Sequence, residues 1–92
     1  MIKTFRHKGL KQLFETGNSR GVSADLTGRL IRQLDLLNRA TSPADMNLPG
    51  SRWHELKGDR KGTWSITISG NWRLTFSFQG ADAYDVDLED YH

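Results

Sequence analysis

The stretch TWSITISGNWRLTFSFQGADAYDVDLED, residues 63–90, decides the fold of this chain. Apolar and polar residues alternate along three runs within it, and a period of two is typical of strands with one buried face. The apolar positions are Trp64, Ile66 and Ile68 in the first run, Trp72, Leu74, Phe76 and Phe78 in the second, and Tyr84, Val86 and Leu88 in the third. Short turns at 70–71 and 80–82 join the runs, so they are predicted to form an antiparallel meander.

The sequence before this stretch has the period of helices. In HKGLKQLFETG, residues 7–17, apolar residues recur at helical spacing and Gly17 is typical of a helix end. A longer helix is predicted over SADLTGRLIRQLDLLNRA, residues 23–40, with Ser23 as its N-cap. Its predicted buried stripe consists of Leu26, Leu30, Ile31, Leu34 and Leu37.

The remaining segments complete an α+β prediction. IKTF, residues 2–5, is predicted as a short first strand, and TSPADM, 41–46, as one turn of helix. RWHEL, 52–56, is strand-like, and LKGDRKG, 56–62, is a polar turn. The predicted fold is a small antiparallel meander packed against two or three N-terminal helices.

Length and composition narrow the class of protein. At 92 residues the chain is expected to form one domain, 1–92, with one modest core. It contains no cysteine, so disulfides and thiolate metal sites are excluded. No apolar run is long enough for a signal peptide or a membrane span, so a soluble cytoplasmic protein without membrane contact is expected.

The small net charge conceals a division along the chain. Residues 1–73 contain all thirteen basic residues and six of the eleven acidic ones, whereas residues 74–92 contain five acids and no base. This asymmetry favours a polyanionic partner for the basic part. The alternative is a solvated surface that ends in an acidic strand.

The end of the sequence, LEDYH at 88–92, places reactive side chains directly after a strand-like run. Imidazole groups exchange protons near neutral pH, so His54 and His92 suit the proton transfers of RNA cleavage, with Asp90 as a further acid or base. Tyr91 is suited to stack on a base. For each of these groups the alternative is a packed, capping or solvent-facing side chain.

Three basic residues are candidates for contacts with RNA. Lys57, Arg60 and Arg73 could neutralise charge on a phosphate in such a reaction. The alternative for the turn that contains the first two is a charged hairpin turn without function, since glycine, aspartate and lysine are typical of solvent-facing turns. The three histidines show no metal-ligand spacing, so no metal or other cofactor is predicted.

Two motifs together resemble the HigB branch of the RelE superfamily of bacterial toxins. They are HELKGDRKGTWSITISGNWRLTF, residues 54–76, and DAYDVDLEDYH, residues 82–92. The likeness also includes MIKTFRHKGLKQLFETG, residues 1–17, and so extends over nearly the whole chain.

The resemblance implies a microbial ribonuclease-like fold and a ribosome-dependent mRNA endonuclease that cleaves the codon in the decoding site of the 70S ribosome. It implies a HigA-type antitoxin with a helix-turn-helix domain, and contact with operator DNA only through the antitoxin complex. The active-site pattern of the branch falls on His54, Asp90, Tyr91 and His92. His54 or Asp90 would be the base, His92 the acid and Tyr91 the stacking residue.

By the same resemblance, Lys57 and Arg73 would contact the phosphate, and Arg60 would be a further RNA contact. Two other functions compete with the nuclease. One is a non-catalytic toxin of the same RelE or ParE fold, and the other is a nucleic-acid-binding co-repressor that acts with its antitoxin. The filled acid and base positions favour the nuclease.

Overall fold

The computed structural model describes residues 1–90, so Tyr91 and His92 lie outside the described residues. Its elements are helices α1 (Lys8–Thr16) and α2 (Thr27–Arg39), 3-10 turns at Pro43–Met46 and Gly58–Arg60, and strands β1 (His54–Glu55), β2 (Thr63–Ser69), β3 (Trp72–Gln79) and β4 (Asp82–Asp90). The strands form one antiparallel sheet in the order β1-β2-β3-β4. The predicted α+β meander with its preceding helices is confirmed.

The core lies between the two helices and one face of the sheet. The sheet contributes Ile66, Leu74, Phe76 and Val86, all without exposed surface. The helical part contributes Leu10, Leu30, Leu34, Leu37 and Met46, which are equally buried. One face of the sheet is thereby used for packing, and the opposite face carries the polar residues.

A bulge in β4 changes the face on which Tyr84 lies. Thr75 of β3 pairs with Asp87, but Ser77, two residues later, pairs with Tyr84, so β4 contains one extra residue between these pairs. Asp85 lies in this interval and has a φ of 54°. An extra residue reverses the alternation of side chains beyond it. Tyr84 therefore pairs with Ser77 on the polar face, and its predicted place in the apolar row is wrong; Ala83, fully buried, takes that place.

The N-terminal segment lies along the outer edge of β4. Isolated parallel bridges join Ile2 to Ala83 and Phe5 to Val86, so the predicted first strand is present as two bridges and not as a continuous strand. The bulge lies between them, where the Asp85 N–H donates to the Thr4 hydroxyl at 2.8 Å. This contact satisfies a backbone donor that the bulge takes out of the ladder.

The two helices follow their predicted patterns with two differences. Gly17 ends α1 with φ 77° and donates to the Leu13 carbonyl, as predicted. The predicted N-cap Ser23 is wrong: its carbonyl accepts from the Leu26 N–H in a turn, and α2 begins only at Thr27. Ile31 is 50% exposed, because the helix buries the i, i+4, i+7 positions that begin at Leu30, and the next residue lies about 100° away.

Within residues 1–90, no helix is both long and apolar enough to span a bilayer.

Gly9 allows α1 to approach the loop before α2. A Cβ on Gly9 would lie 2.4 Å from the Gly21 carbonyl oxygen, whereas a Cβ on Gly28 in α2 would meet nothing within 4 Å. We expect Gly9→Ala to lower the free energy of unfolding by about 1–3 kcal/mol through overpacking. Gly28→Ala, the matched control, should raise it by up to about 1 kcal/mol. Urea unfolding would measure both, and equal effects would contradict the proposed close approach.

Candidate active site

The face of the sheet opposite the helices forms a polar surface that we call the open face. Its central row crosses all four strands through His54, Ser65, Thr75 and Asp87, which are successive partners in the register. Flanking rows consist of Thr67, Arg73 and Glu89 on one side and of Thr63, Ser77 and Tyr84 on the other. Neighbouring strands lie about 4.8 Å apart, so these rows place acids, bases and hydroxyls within reach of one bound segment.

An ion pair connects the β1–β2 loop to the last strand across this face. Arg60 in the loop donates to both carboxylate oxygens of Glu89 on β4, at 2.8 and 2.5 Å. Thr75 on the intervening strand donates its hydroxyl to the same carboxylate at 2.6 Å. Thr75 is only 1% exposed although it lies on the polar side, so this cluster forms a small packed layer of its own.

The environment of Glu89 keeps it ionised. The hydrogen bonds from Arg60 lower the pKa of Glu89 most; burial acts against them, and the Thr75 hydroxyl and the charges of Arg60 and Arg6 lower the pKa further. The carboxylate is therefore charged at neutral pH. Arg60, a predicted RNA contact, is already engaged in this pair.

A shallow cavity of about 130 Å³ lies next to Arg60. It is lined by basic and acidic residues, among them Arg6, Asp59 and Asp87. Enclosed small-molecule sites are usually larger, about 300–1,000 Å³. The open face is therefore better suited to an extended polymer laid across it than to an enclosed small ligand.

His54 lies at the β1 edge of the open face with an exposed side chain. Its strand is only two residues long, shorter than the predicted 52–56. The ring Nδ1 lies 2.9 Å from the carbonyl oxygen of Arg52, a residue with φ 52°. The backbone just before His54 thus holds one side of the ring and leaves the ring accessible.

The other predicted residues take different places. Lys57 is exposed and precedes the 3-10 turn of the loop. Arg73 lies in the row of Glu89 and donates to the Gly70 carbonyl at 2.8 Å. Asp90 pairs with Trp72, which places it on the helix side of the sheet, across from His54. Tyr91 and His92 lie outside the described residues.

The open face thus carries His54, Arg60 and Arg73, but not Asp90. Glu89 was missed by the sequence analysis. It follows the apolar Leu88 in the alternating run, but no local signal showed that a loop residue 29 positions earlier would bond to it. Within residues 1–90 no group of three or more histidines and acids is placed to hold a metal ion.

Comparison with known proteins gives one family. A family model described as RelE-like toxin of type II toxin-antitoxin system HigB matches residues 3–92. The endoribonuclease HigB of Proteus vulgaris is 49% identical over 92 residues, with both chains covered completely. Toxin HigB-1 of Vibrio cholerae serotype O1 is 30% identical over 91 residues, covering 97% of this chain and 96% of its own.

A solved structure supports the fold separately. The crystal structure of a mutant of YafQ from E. coli superposes with a TM-score of 0.64 at 16% sequence identity. The match covers 98% of this chain and 91% of the other.

The Arg60–Glu89 pair makes stability depend on pH. Because the folded pKa of Glu89 is lowered, its contribution is complete above the ordinary glutamate pKa of about 4.3 and is lost as pH falls through the lower folded value. The Arg60 side chain is 41% exposed, so screening limits the contribution. We expect Glu89→Gln to cost about 1 kcal/mol at pH 7 and less at pH about 3.

Urea unfolding between those pH values would measure the difference. Glu15→Gln removes a carboxylate from an exposed position of α1 and is the control for charge alone. If the free energy of unfolding of Glu89→Gln fell between these two pH values as much as that of the unsubstituted chain, the prediction would be contradicted.

Proposed function

The chain belongs to the HigB family of RelE-like toxins from type II toxin-antitoxin systems, and we propose that it is a ribosome-dependent endoribonuclease. Membership of this family gives it an antitoxin as partner. The observation that carries the proposal is the full-length relative, 49% identical, that is named an endoribonuclease. The open face supports it, because an exposed imidazole lies there among cations and hydroxyls.

The proposed reaction is cleavage of mRNA by its own sugar. A base takes the proton of a 2′-hydroxyl, and the oxygen forms a bond to the adjacent phosphorus as the bond from phosphorus to the 5′ oxygen breaks. An acid gives a proton to that 5′ oxygen. The products are a 2′,3′-cyclic phosphate and a 5′-hydroxyl, and the nucleophile comes from the substrate itself.

We assign the catalytic group to His54, Asp90, Tyr91 and His92. His92 would be the acid, Tyr91 would stack on and orient a base, and His54 or Asp90 would be the general base. Asp90 is the member with the least support, because its register partner is Trp72 on the other side of the sheet.

Basic residues would bind the RNA backbone. Lys57, exposed on the loop, and Arg73, in the row next to His54, would contact the phosphate at the cleavage position. Arg60 would hold the loop over the open face through Glu89 and add positive charge beside the substrate. Such contacts release counterions, so binding should weaken as salt increases.

The partners follow from the same proposal. The one domain, 1–92, would act in the cytoplasm on mRNA in the decoding site of the 70S ribosome, and a HigA-type helix-turn-helix antitoxin would inhibit it. Operator DNA would be reached only through the antitoxin complex. Because the open face is shallow, the ribosome would have to supply the alignment of the codon, which can account for a large part of a barrier.

The first test is translation in vitro with the purified chain. We expect message cut within the codon in the decoding site, with 5′-hydroxyl ends, and slow cleavage of the same RNA without ribosomes. A message with a 2′-deoxy sugar at the cleavage position should resist, because the nucleophile is missing. Intact message beside active ribosomes would contradict the proposal.

The second test is substitution of the proposed catalytic group. His54→Gln and His92→Gln should each lower the cleavage rate by about 10²-fold or more and abolish growth inhibition, with an unchanged circular dichroism spectrum. His7→Gln is the matched control, because it removes an imidazole that caps α1 and has no proposed role in cleavage. Growth inhibition that survives His92→Gln would favour the non-catalytic toxin or the co-repressor. Unchanged cleavage by Asp90→Asn would remove Asp90 from the group.

A further inference from the structure

We propose that His54 is the general base of this cleavage and that Arg52 is a positioning residue whose backbone fixes the proton-accepting atom as Nε2. The assignment of the base rests on the proposed endoribonuclease activity. The assignment of the tautomer rests on the geometry around His54 alone.

The hydrogen bond to Arg52 determines where the imidazole proton lies. A carbonyl oxygen only accepts, so the ring Nδ1, 2.9 Å from it, must be the donor. A neutral histidine with its proton on Nδ1 has a free lone pair on Nε2. Free histidine favours the opposite tautomer, so the protein selects the form whose outer nitrogen is a base. After Nε2 takes a proton, the bond from Nδ1 remains and stabilises the imidazolium.

The backbone conformation of Arg52 aims this carbonyl. Its φ of 52° is in the left-handed region, which a residue other than glycine occupies at a cost of about 1 kcal/mol or more. Such conformations persist only where the surroundings enforce them. The geometry here therefore has to come from the contacts on either side of Arg52.

The residues on both sides of Arg52 are attached to β2 by backbone pairing. The Thr67 N–H donates to the Ser51 carbonyl at 2.7 Å, and His54 pairs with Ser65. The chain advances three residues from Ser51 to His54 while β2 advances two, so one residue is extra, as in a β-bulge. Arg52 absorbs it, which turns its carbonyl towards the ring.

His7 has the opposite arrangement and provides an internal reference. Its Nδ1 accepts from the Leu10 N–H at 3.1 Å at the start of α1, so its proton lies on Nε2. The side chain of His54, by contrast, is exposed on the open face, where Nε2 is accessible to a substrate hydroxyl. One chain thus holds two histidines in opposite tautomers.

Long-range ¹H–¹⁵N NMR of the labelled chain at pH about 8 reads the tautomers of His54 and His7 directly. We expect His54 to show a protonated Nδ1 and a bare Nε2, and His7 to show the reverse. The signals that disappear in His54→Gln assign the residue. A proton on Nε2 of His54 would overturn the proposal whether or not the chain cleaves RNA.

A matched pair of variants then tests the role of the backbone. Arg52→Gly and Arg52→Val both remove the guanidinium, but only valine opposes the left-handed conformation. We expect Arg52→Gly to keep the tautomer of the unsubstituted chain and to retain a higher kcat than Arg52→Val. Arg52→Val should shift His54 towards the Nε2–H form and lower kcat between about 10-fold and 100-fold, with little change in KM.

The outcomes separate this inference from the proposed function. If the unsubstituted chain cleaves and the two variants lose activity equally, the backbone of Arg52 does not position the base and the inference fails. If the unsubstituted chain leaves the message intact, the nuclease proposal fails, and with it the role of His54 as base. The NMR measurement tests the tautomer in either case.

Discussion

The pairing of β3 with β4 is the interaction on which both sides of the sheet depend. It places Leu74 opposite Leu88 in the core and Thr75 opposite Asp87 on the open face. Because side chains alternate with a period of two, a slip of one residue would exchange these faces and bury carboxylates. The bridges from Ile2 and Phe5 to β4 on each side of the bulge oppose such a slip, so the N-terminal segment contributes to the register of the last strand.

The size of the chain explains why one face is left open. A protein of 92 residues has enough apolar residues for one core, and here both helices pack on the same side of the sheet. The other face has to be stabilised by polar contacts, and the Arg60–Glu89 pair with the Thr75 hydroxyl provides one such set. The same contacts hold the β1–β2 loop against the open face on which His54 lies, so part of what stabilises this face also shapes the candidate site.

Local patterns in the sequence predicted most of the fold and part of the site. The site prediction grouped Asp90 with His54, but the register places these two residues on opposite sides of the sheet. Alternation identified the three long strands. It failed at Tyr84, because the bulge depends on contacts with the N-terminal segment about 80 residues away, among them the hydroxyl of Thr4. Alternation also could not predict the ion pair of Arg60 or the hydrogen bond of His54. Each contact depends on how a loop folds onto the sheet, and neither produces a periodic pattern in the sequence.

Two extra residues, Asp85 in β4 and Arg52 before β1, have left-handed backbone conformations at the edges of the sheet. In a regular strand, alternation decides which side chains lie on the open face. An extra residue reverses the alternation beyond it and so moves other side chains to that face. At Asp85 the change moves Tyr84 out of the core. At Arg52 it aims a carbonyl at His54. In the proposed function these local distortions prepare one imidazole, while alignment of the RNA is left to the partner that presents it, since a shallow face cannot hold a flexible strand in reactive geometry without help.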